Sequence, residues 1–414
     1  MKPRTQAVQL PASATNHWIV AASFATYAGS LLTMRLVGVT DIVSVGLMSL
    51  FATAAVNFTL DTWLLKVHRR ASTGLDWSQN KPSWARAWTK FAGLLGSFGF
   101  VATLYWLFPE YHGSFYDRFY AAVKLILPWW TLLALPYFYL VDSKQKDPRD
   151  GYHTMGLVVL GQWSKVDRKL LGQHLLGWLV KGYFLPLMLT YFFGDLSRFL
   201  AFNYTNVKDF RTFFDATYDL TFLIDVGLSS MGYLMAVRVF DSHLRWAEPT
   251  VKGWAVALLC YQPFWSMISQ NYIDYTRNFA WGAWLWDRPQ LYVAWGSCIL
   301  ILYAIYVWAT IMFGCRFSNL THRGILTNGP FRWTKHPAYI SKNLAWWLTA
   351  VPFIVTDTGV LDTVRRCTLL LFLNGVYYLR AKTEEAHLSQ DPAYVEYAKW
   401  IDRHGIFSFL KRDR

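Results

Sequence analysis

Long apolar stretches broken by short polar ones recur along the whole chain. Ten of them predict membrane-crossing helices: His17–Leu36, Ile42–Leu60, Phe91–Phe108, Phe119–Val141, Leu175–Phe193, Leu220–Val239, Trp254–Ile273, Leu291–Phe313, Asn343–Val355 and Thr368–Leu379. Hydrocarbon about 30 Å thick needs roughly 20 apolar residues at about 1.5 Å of rise each. The last two stretches are too short for that and predict the arms of a tilted hairpin. The expected fold class is all-α, a polytopic integral membrane bundle of about ten transmembrane helices. An interfacial helix should close the chain, with Asp391 as its N-cap, Pro392 at its first position and Gly405 at its end.

The polar stretches between spans carry the charge. Lys66, Arg69, Arg70, Lys81, Arg86 and Lys90 crowd one loop, and Lys144, Lys146, Arg149, Lys165, Arg168 and Lys169 another. Segments 109–118 and 271–288 are nearly neutral. The bias of cytosolic loops toward Lys and Arg then puts both termini, with Lys2 and Arg4, on the cytosolic side. Composition agrees, with 54% hydrophobic and 16% charged residues. A net charge of +14 would suggest nucleic acid in a soluble chain. Here it sits in loops beside a bilayer, so the expected partner is anionic lipid and no nucleic acid. The four cysteines show no Cys-x-x-Cys spacing, and no metal is expected.

Some features inside the spans have two readings. Gly93, Gly96 and Gly99 lie within a predicted helix, where small residues permit close packing; a phosphate-binding loop would need a strand before it. Lys124 and Lys181 can reach the interface with their long stems. Asp225 cannot, and reads as either a partnered carboxylate or a group of a substrate pocket. The aromatic segments 197–218 and 271–288 fit an interfacial belt or a lid over a lipid-like substrate. Nothing in the sequence fixes an oligomeric state.

Two polar clusters bracket the last hairpin: Thr327–Asn343 (TNGPFRWTKHPAYISKN) and Arg380–Leu388 (RAKTEEAHL). Pro337 favours a helix start there, so His336 should stand at its mouth. Arg380 and Glu384 share a helix face. A polar ligand bearing both signs of charge would fit between the clusters. GPFRWTKHPAYIS resembles the GPYRYxRHPxYxG segment of the isoprenylcysteine carboxyl methyltransferase family. Arg380-x-x-x-Glu384-Glu385-x-x-Leu388, followed by Tyr394-x-x-Tyr397, resembles its RxxxEExxL…YxxY segment. The resemblance covers about Leu291–Leu410, dividing the chain into an N-terminal bundle (1–290) and a methyltransferase-like core (291–414).

The resemblance implies S-adenosylmethionine bound at the cytosolic face and a lipophilic acceptor, such as a prenylated group, a lipid or a hydrophobic acid, entering from the bilayer. It implies cofactor contacts from His336, Pro337, Tyr339, Glu384 and Glu385. It places Arg380 and Lys335 beside the reacting groups. Lys335 stands where the family has Arg, keeping the charge without the bidentate fork, and Ser341 where it has Gly. Two other readings remain open: an NADPH-dependent enzyme of the sterol reductase type, and a non-enzymatic lipid carrier or complex subunit.

Overall fold

A computed structural model describes residues 9–271, 273–276, 281–355 and 357–411. Lys2, Arg4 and residues 272 and 277–280 of the aromatic segment lie outside them. The chain is built of helices: α1 His17–Val37, α2 Ile42–Leu64, α3 Trp84–Leu107, α4 Asp117–Asp142, α5 Gly151–Val159, α6 Arg168–Ala201, α7 Phe210–Leu234, α8 Val251–Leu258, α9 Phe264–Asn271, α10 Trp281–Leu285, α11 Pro289–Met312, α12 Pro337–Ala350, α13 Gly359–Leu388 and α14 Pro392–His404. Two short strands, β1 Trp246–Ala247 and β2 Thr321–His322, pair antiparallel, with Trp246 opposite His322. Asn16, Asp41, Ser83, Asp150, Asp167 and Asp209 cap the helices they precede by accepting from first-turn N–H groups.

The chain is an all-α, multi-pass membrane protein. Among the described residues, six helices are long and apolar enough to cross a bilayer: α1, α2, α3, α4 with the turn before it (Ser114–Asp142), α6 and α11. The other four expected spans take different forms. Leu220–Val239 is α7, which ends at Leu234 and carries Asp215, Asp219 and Asp225. Trp254–Ile273 is not one helix. It is broken into α8 and α9 around Tyr261–Pro263, since proline supplies no N–H to continue a helix. Asn343–Val355 belongs to α12, which has 14 residues and reaches only about 21 Å. Thr368–Leu379 is the middle of α13, which at 30 residues is much longer than its apolar part.

The core lies where α1, α2, α6 and α7 meet, around Tyr27, Leu50, Phe184, Phe192, Phe193 and Leu223. Gly227 lets α1 come close: a Cβ there would stand 2.2 Å from Tyr27 Oη, which donates to Leu223 O at 2.9 Å. The expected glycine contact is real at two of three positions. A Cβ on Gly93 would fall 1.9 Å from Tyr152 O, and one on Gly96 2.5 Å from Val159, both on α5, while Gly99 faces open space. Trp18, Trp63, Trp84, Trp88 and Trp106 stand exposed near helix ends, as an interfacial belt requires.

One end of the bundle is tied together by polar contacts. Leu75 bridges to Gln145, and Arg238 donates to Thr73 O at 3.0 Å. Buried Arg316 lies 3.5 Å from Asp61. Lys90, expected in a loop, is instead buried in α3 between Asp142 (2.8 Å) and Asp150 (3.2 Å).

Candidate functional site

The two C-terminal clusters meet at this tied end. Thr327 Oγ1 donates to Pro11 O at 2.9 Å and Asn328 Nδ2 to Thr15 O at 2.9 Å, so the N-terminal segment braces the loop before α12. Tyr397 Oη of α14 donates to Phe331 O at 2.7 Å and clamps the same loop from the other side. Pro337 opens α12 with His336 as its N-cap. Tyr339 and Lys342 follow on one helix face, opposite Tyr377, Arg380 and Glu384 of α13.

These residues line a cavity of about 210 Å³ that also reaches Lys335, Asp225 and Thr310. Arg380 is 4% exposed, and its cation is held from all sides. It donates to Asn319 Oδ1 at 2.7 Å, and its Nε lies 3.5 Å from Glu384. The rings of Tyr339, Tyr261 and Tyr377 stand 5.1, 5.3 and 5.9 Å from its guanidinium carbon. Tyr339 Oη donates to Glu384, and its ring stacks on His336 at 5.5 Å. At the deep end Asp225 accepts from Tyr306 Oη (2.5 Å) and Thr310 Oγ1 (2.7 Å). Lys342 lies over the rings of Tyr306 and Trp346. Asp225 is thus a partnered carboxylate that also lines the cavity.

The neighbouring glutamates part company. Glu384 faces the cavity, whereas Glu385, expected to contact a cofactor, does not line it. Glu385 lies 3.2 Å from His336 Nε2, 3.2 Å from Lys335 Nζ and 3.0 Å from Lys382 Nζ. Burial opposes its charge, but these three donors outweigh burial and hold its carboxyl well below the usual carboxylate range. Its place is to fix Lys335 and His336 at the mouth of α12.

Several site residues carried no sequence signal of their own. Asn319 donates to Tyr233 Oη and Tyr261 Oη, each at 3.0 Å, while accepting from Arg380. Tyr261 comes from the break between α8 and α9; irregular backbone at membrane depth is tolerated where it lines a cavity. Tyr306 and Thr310 sit four apart on α11, a polar face that could have been noticed inside an apolar span. The site thus draws α7 and α8, before residue 290, together with the helices after it. Among the described residues no cluster of His, Cys, Asp and Glu is arranged to hold a metal. Tyr394 Oη lines the cavity, buried, with no hydrogen-bond partner.

One protein family matches, over residues 310–401; it is described as a protein of unknown function (DUF1295). No curated protein and no solved structure matches the chain.

Proposed function

We propose that the chain is a membrane methyltransferase that takes S-adenosylmethionine in this cavity and a lipophilic acceptor from the bilayer. The supporting observation is the meeting of the two motifs, with His336, Tyr339, Arg380 and Glu384 around one cavity. The donor set suits that ligand. Arg380 is a fixed cation for its carboxylate, and Glu384 has oxygens for its ammonium or hydroxyls. Stacked rings suit its base, and Tyr394 Oη is buried and unpaired. The cofactor supplies a methyl group on a positive sulfur. Held by Arg380, Glu384 and the stacked rings, it would pass that methyl to the acceptor's lone pair and leave as a neutral thioether. A carboxylate acceptor would need no base, only orientation and a dry site. Lys342 at the deep end would receive its charged head.

A reductase holding NADPH in the same place would need cations free for its phosphates. Of the cations lining the cavity, Arg316 and Arg323 are engaged and Lys335 is paired with Glu385, which leaves Lys342, over the rings of Tyr306 and Trp346, as a single cation in addition to Arg380 for several phosphate charges. Arg316 lies near Asp61, and Arg323 donates to the carbonyls of Gly232, Phe317 and Cys315 at 2.7–2.8 Å.

Ligand binding to the purified protein in detergent tests the reading. S-adenosylmethionine and its demethylated product should each raise the melting temperature. Glu384→Gln and His336→Ala should each weaken binding at least tenfold, about 1.4 kcal/mol. No response to either ligand would overturn the proposal. Saturable NADPH binding that S-adenosylmethionine does not compete would favour the reductase, and cofactor binding without transfer to any extracted lipid would favour a carrier.

A further inference from the structure

A second cavity, of about 470 Å³, lies in the N-terminal bundle between α3, α4, α6 and β1. Nothing in the proposed methyl transfer uses it. Its lining is divided. Leu94, Phe98, Trp130 and Leu133 form an apolar side, and Leu133 is 60% exposed on the outer surface of α4. The opposite side carries Lys181, Arg238, His243, Arg245 and Trp246.

The charges on the lining do not balance. Its two carboxylates are already taken: Asp142 lies 2.8 Å from both Arg86 and Lys90, and Asp150 lies 3.2 Å from Lys90 and accepts from Gln145. Arg245 lies 3.5 Å from Asp241 and 3.7 Å from Asp391. Lys181 and Arg238 have no carboxylate within ion-pair distance among the described residues. Arg238 donates to a carbonyl, and Lys181 lies 5.1 Å over the ring of Trp178. Burial and the surrounding arginines, Arg238 foremost, push His243 well below its ordinary value, as a positive field does. Moreover His243 Nδ1, Arg245 Nε and Trp246 Nε1 are buried without a hydrogen-bond partner. Unmatched buried polar atoms cost about 1–3 kcal/mol each, a cost that acceptor oxygens from a ligand would remove.

We propose that this cavity binds an anionic lipid, with its phosphate head at Lys181, Arg238 and Trp246 and its chain against Leu94, Phe98 and Leu133. Two unpaired cations beside unmatched donors recognise a phosphate, and the apolar side opening at Leu133 recognises a chain. The site is independent of the cofactor cavity and stands whether or not that cavity binds S-adenosylmethionine.

The test is the melting temperature of the full protein in detergent, titrated with phosphatidic acid, with phosphatidylcholine of the same chains, or with inorganic phosphate. Phosphatidic acid should stabilise the protein and phosphatidylcholine should not. Lys181→Gln and Arg238→Gln should each raise the half-saturating concentration about tenfold, while Lys181→Arg, Arg238→Lys and the exposed control Lys165→Gln stay near wild type. The conservative pair separates lost recognition from lost folding. Equal stabilisation by phosphatidylcholine, or an unchanged response in both Gln variants, would overturn the site. A full response to inorganic phosphate alone would overturn the lipid as its occupant.

Discussion

Glu384 and Glu385 show how one step along a helix separates two tasks. The first faces the cavity with Tyr339 and Arg380, and the second anchors Lys335 and His336 from behind. Sequence spacing puts both in the motif but cannot say which way each points. A similar division marks the histidines. His322 is fully buried, stacked on Trp246 at 4.1 Å, with its Nε2 3.0 Å from Asp391. Burial, then Arg245, push it down to about 4 against the pull of Asp391. The folded protein therefore prefers the neutral ring. Its contribution is complete above the ordinary value of about 6.5 and shrinks as pH falls from there toward 4, by at most about 3 kcal/mol. Melting temperatures from pH 7.5 to pH 4.5 should fall less steeply for His322→Phe than for wild type. Parallel curves would remove His322 from the account. Glu385 acts in a lower window: its folded value is depressed, so its contribution is present above about 4.3 and lost only as pH drops further toward that folded value.

At the scale of elements, the α3–α5 contact makes the sharpest claim. Tyr152 O would meet a Cβ on Gly93, and Thr89 O one on Gly156, each at 1.9 Å. Neither obstacle is a side chain that can turn away, so the helices themselves must part. Gly93→Ala and Gly156→Ala should each cost about 3 kcal/mol, at the upper end of overpacking effects, while Gly99→Ala should be neutral or slightly stabilising. Denaturation midpoints in detergent would show it, and equal behaviour of the three would refute it. The same contact shows what was legible beforehand. Glycines inside an apolar run signalled close packing, but one strand of text cannot say which helix approaches or that Gly99 looks outward. Six of the ten apolar runs became helices long and apolar enough to cross. The others did not: α7 carries three aspartates, average hydropathy hides the break at Pro263 between α8 and α9, α12 has only 14 residues, and the charged ends of α13 extend a short apolar middle to 30 residues. The site followed the same rule. His336, Tyr339, Lys342, Arg380 and Glu384 were readable because they cluster in polar segments, whereas Asn319, Tyr261, Tyr306 and Thr310 stand among residues that pattern alone assigns to loops or lipid.

Over the whole molecule, the basic segments gather at one end of the bundle, and the cavity lined by His336, Tyr339, Arg380 and Glu384 sits there too. Contacts link that end across the chain: Leu75 with Gln145, Arg238 with Thr73, Arg316 with Asp61, and Thr327 with Pro11. At the other end Arg35 donates to the carbonyls of Phe199 and Phe202, and Arg118 to Phe193 O at 3.0 Å. These two arginines are tied to backbone carbonyls, and exposed Arg198 there is paired with Asp195 at 2.6 Å. Lys and Arg excess retains loops in the cytosol, so the expected orientation puts His336 and Glu384 on the cytosolic side, where a soluble methyl donor would be supplied. Single cysteines report it directly. Lys165, between α5 and α6, and Lys208, between α6 and α7, are both exposed and lie at opposite ends of α6. In a Cys298→Ala background, which removes the exposed native thiol, Lys208→Cys should react with a membrane-impermeant maleimide on intact cells. Lys165→Cys should react only after permeabilisation. The reverse pattern would place the cavity outside the cytosol and remove its source of cofactor, and labelling of both from one side would mean that α6 does not cross the membrane.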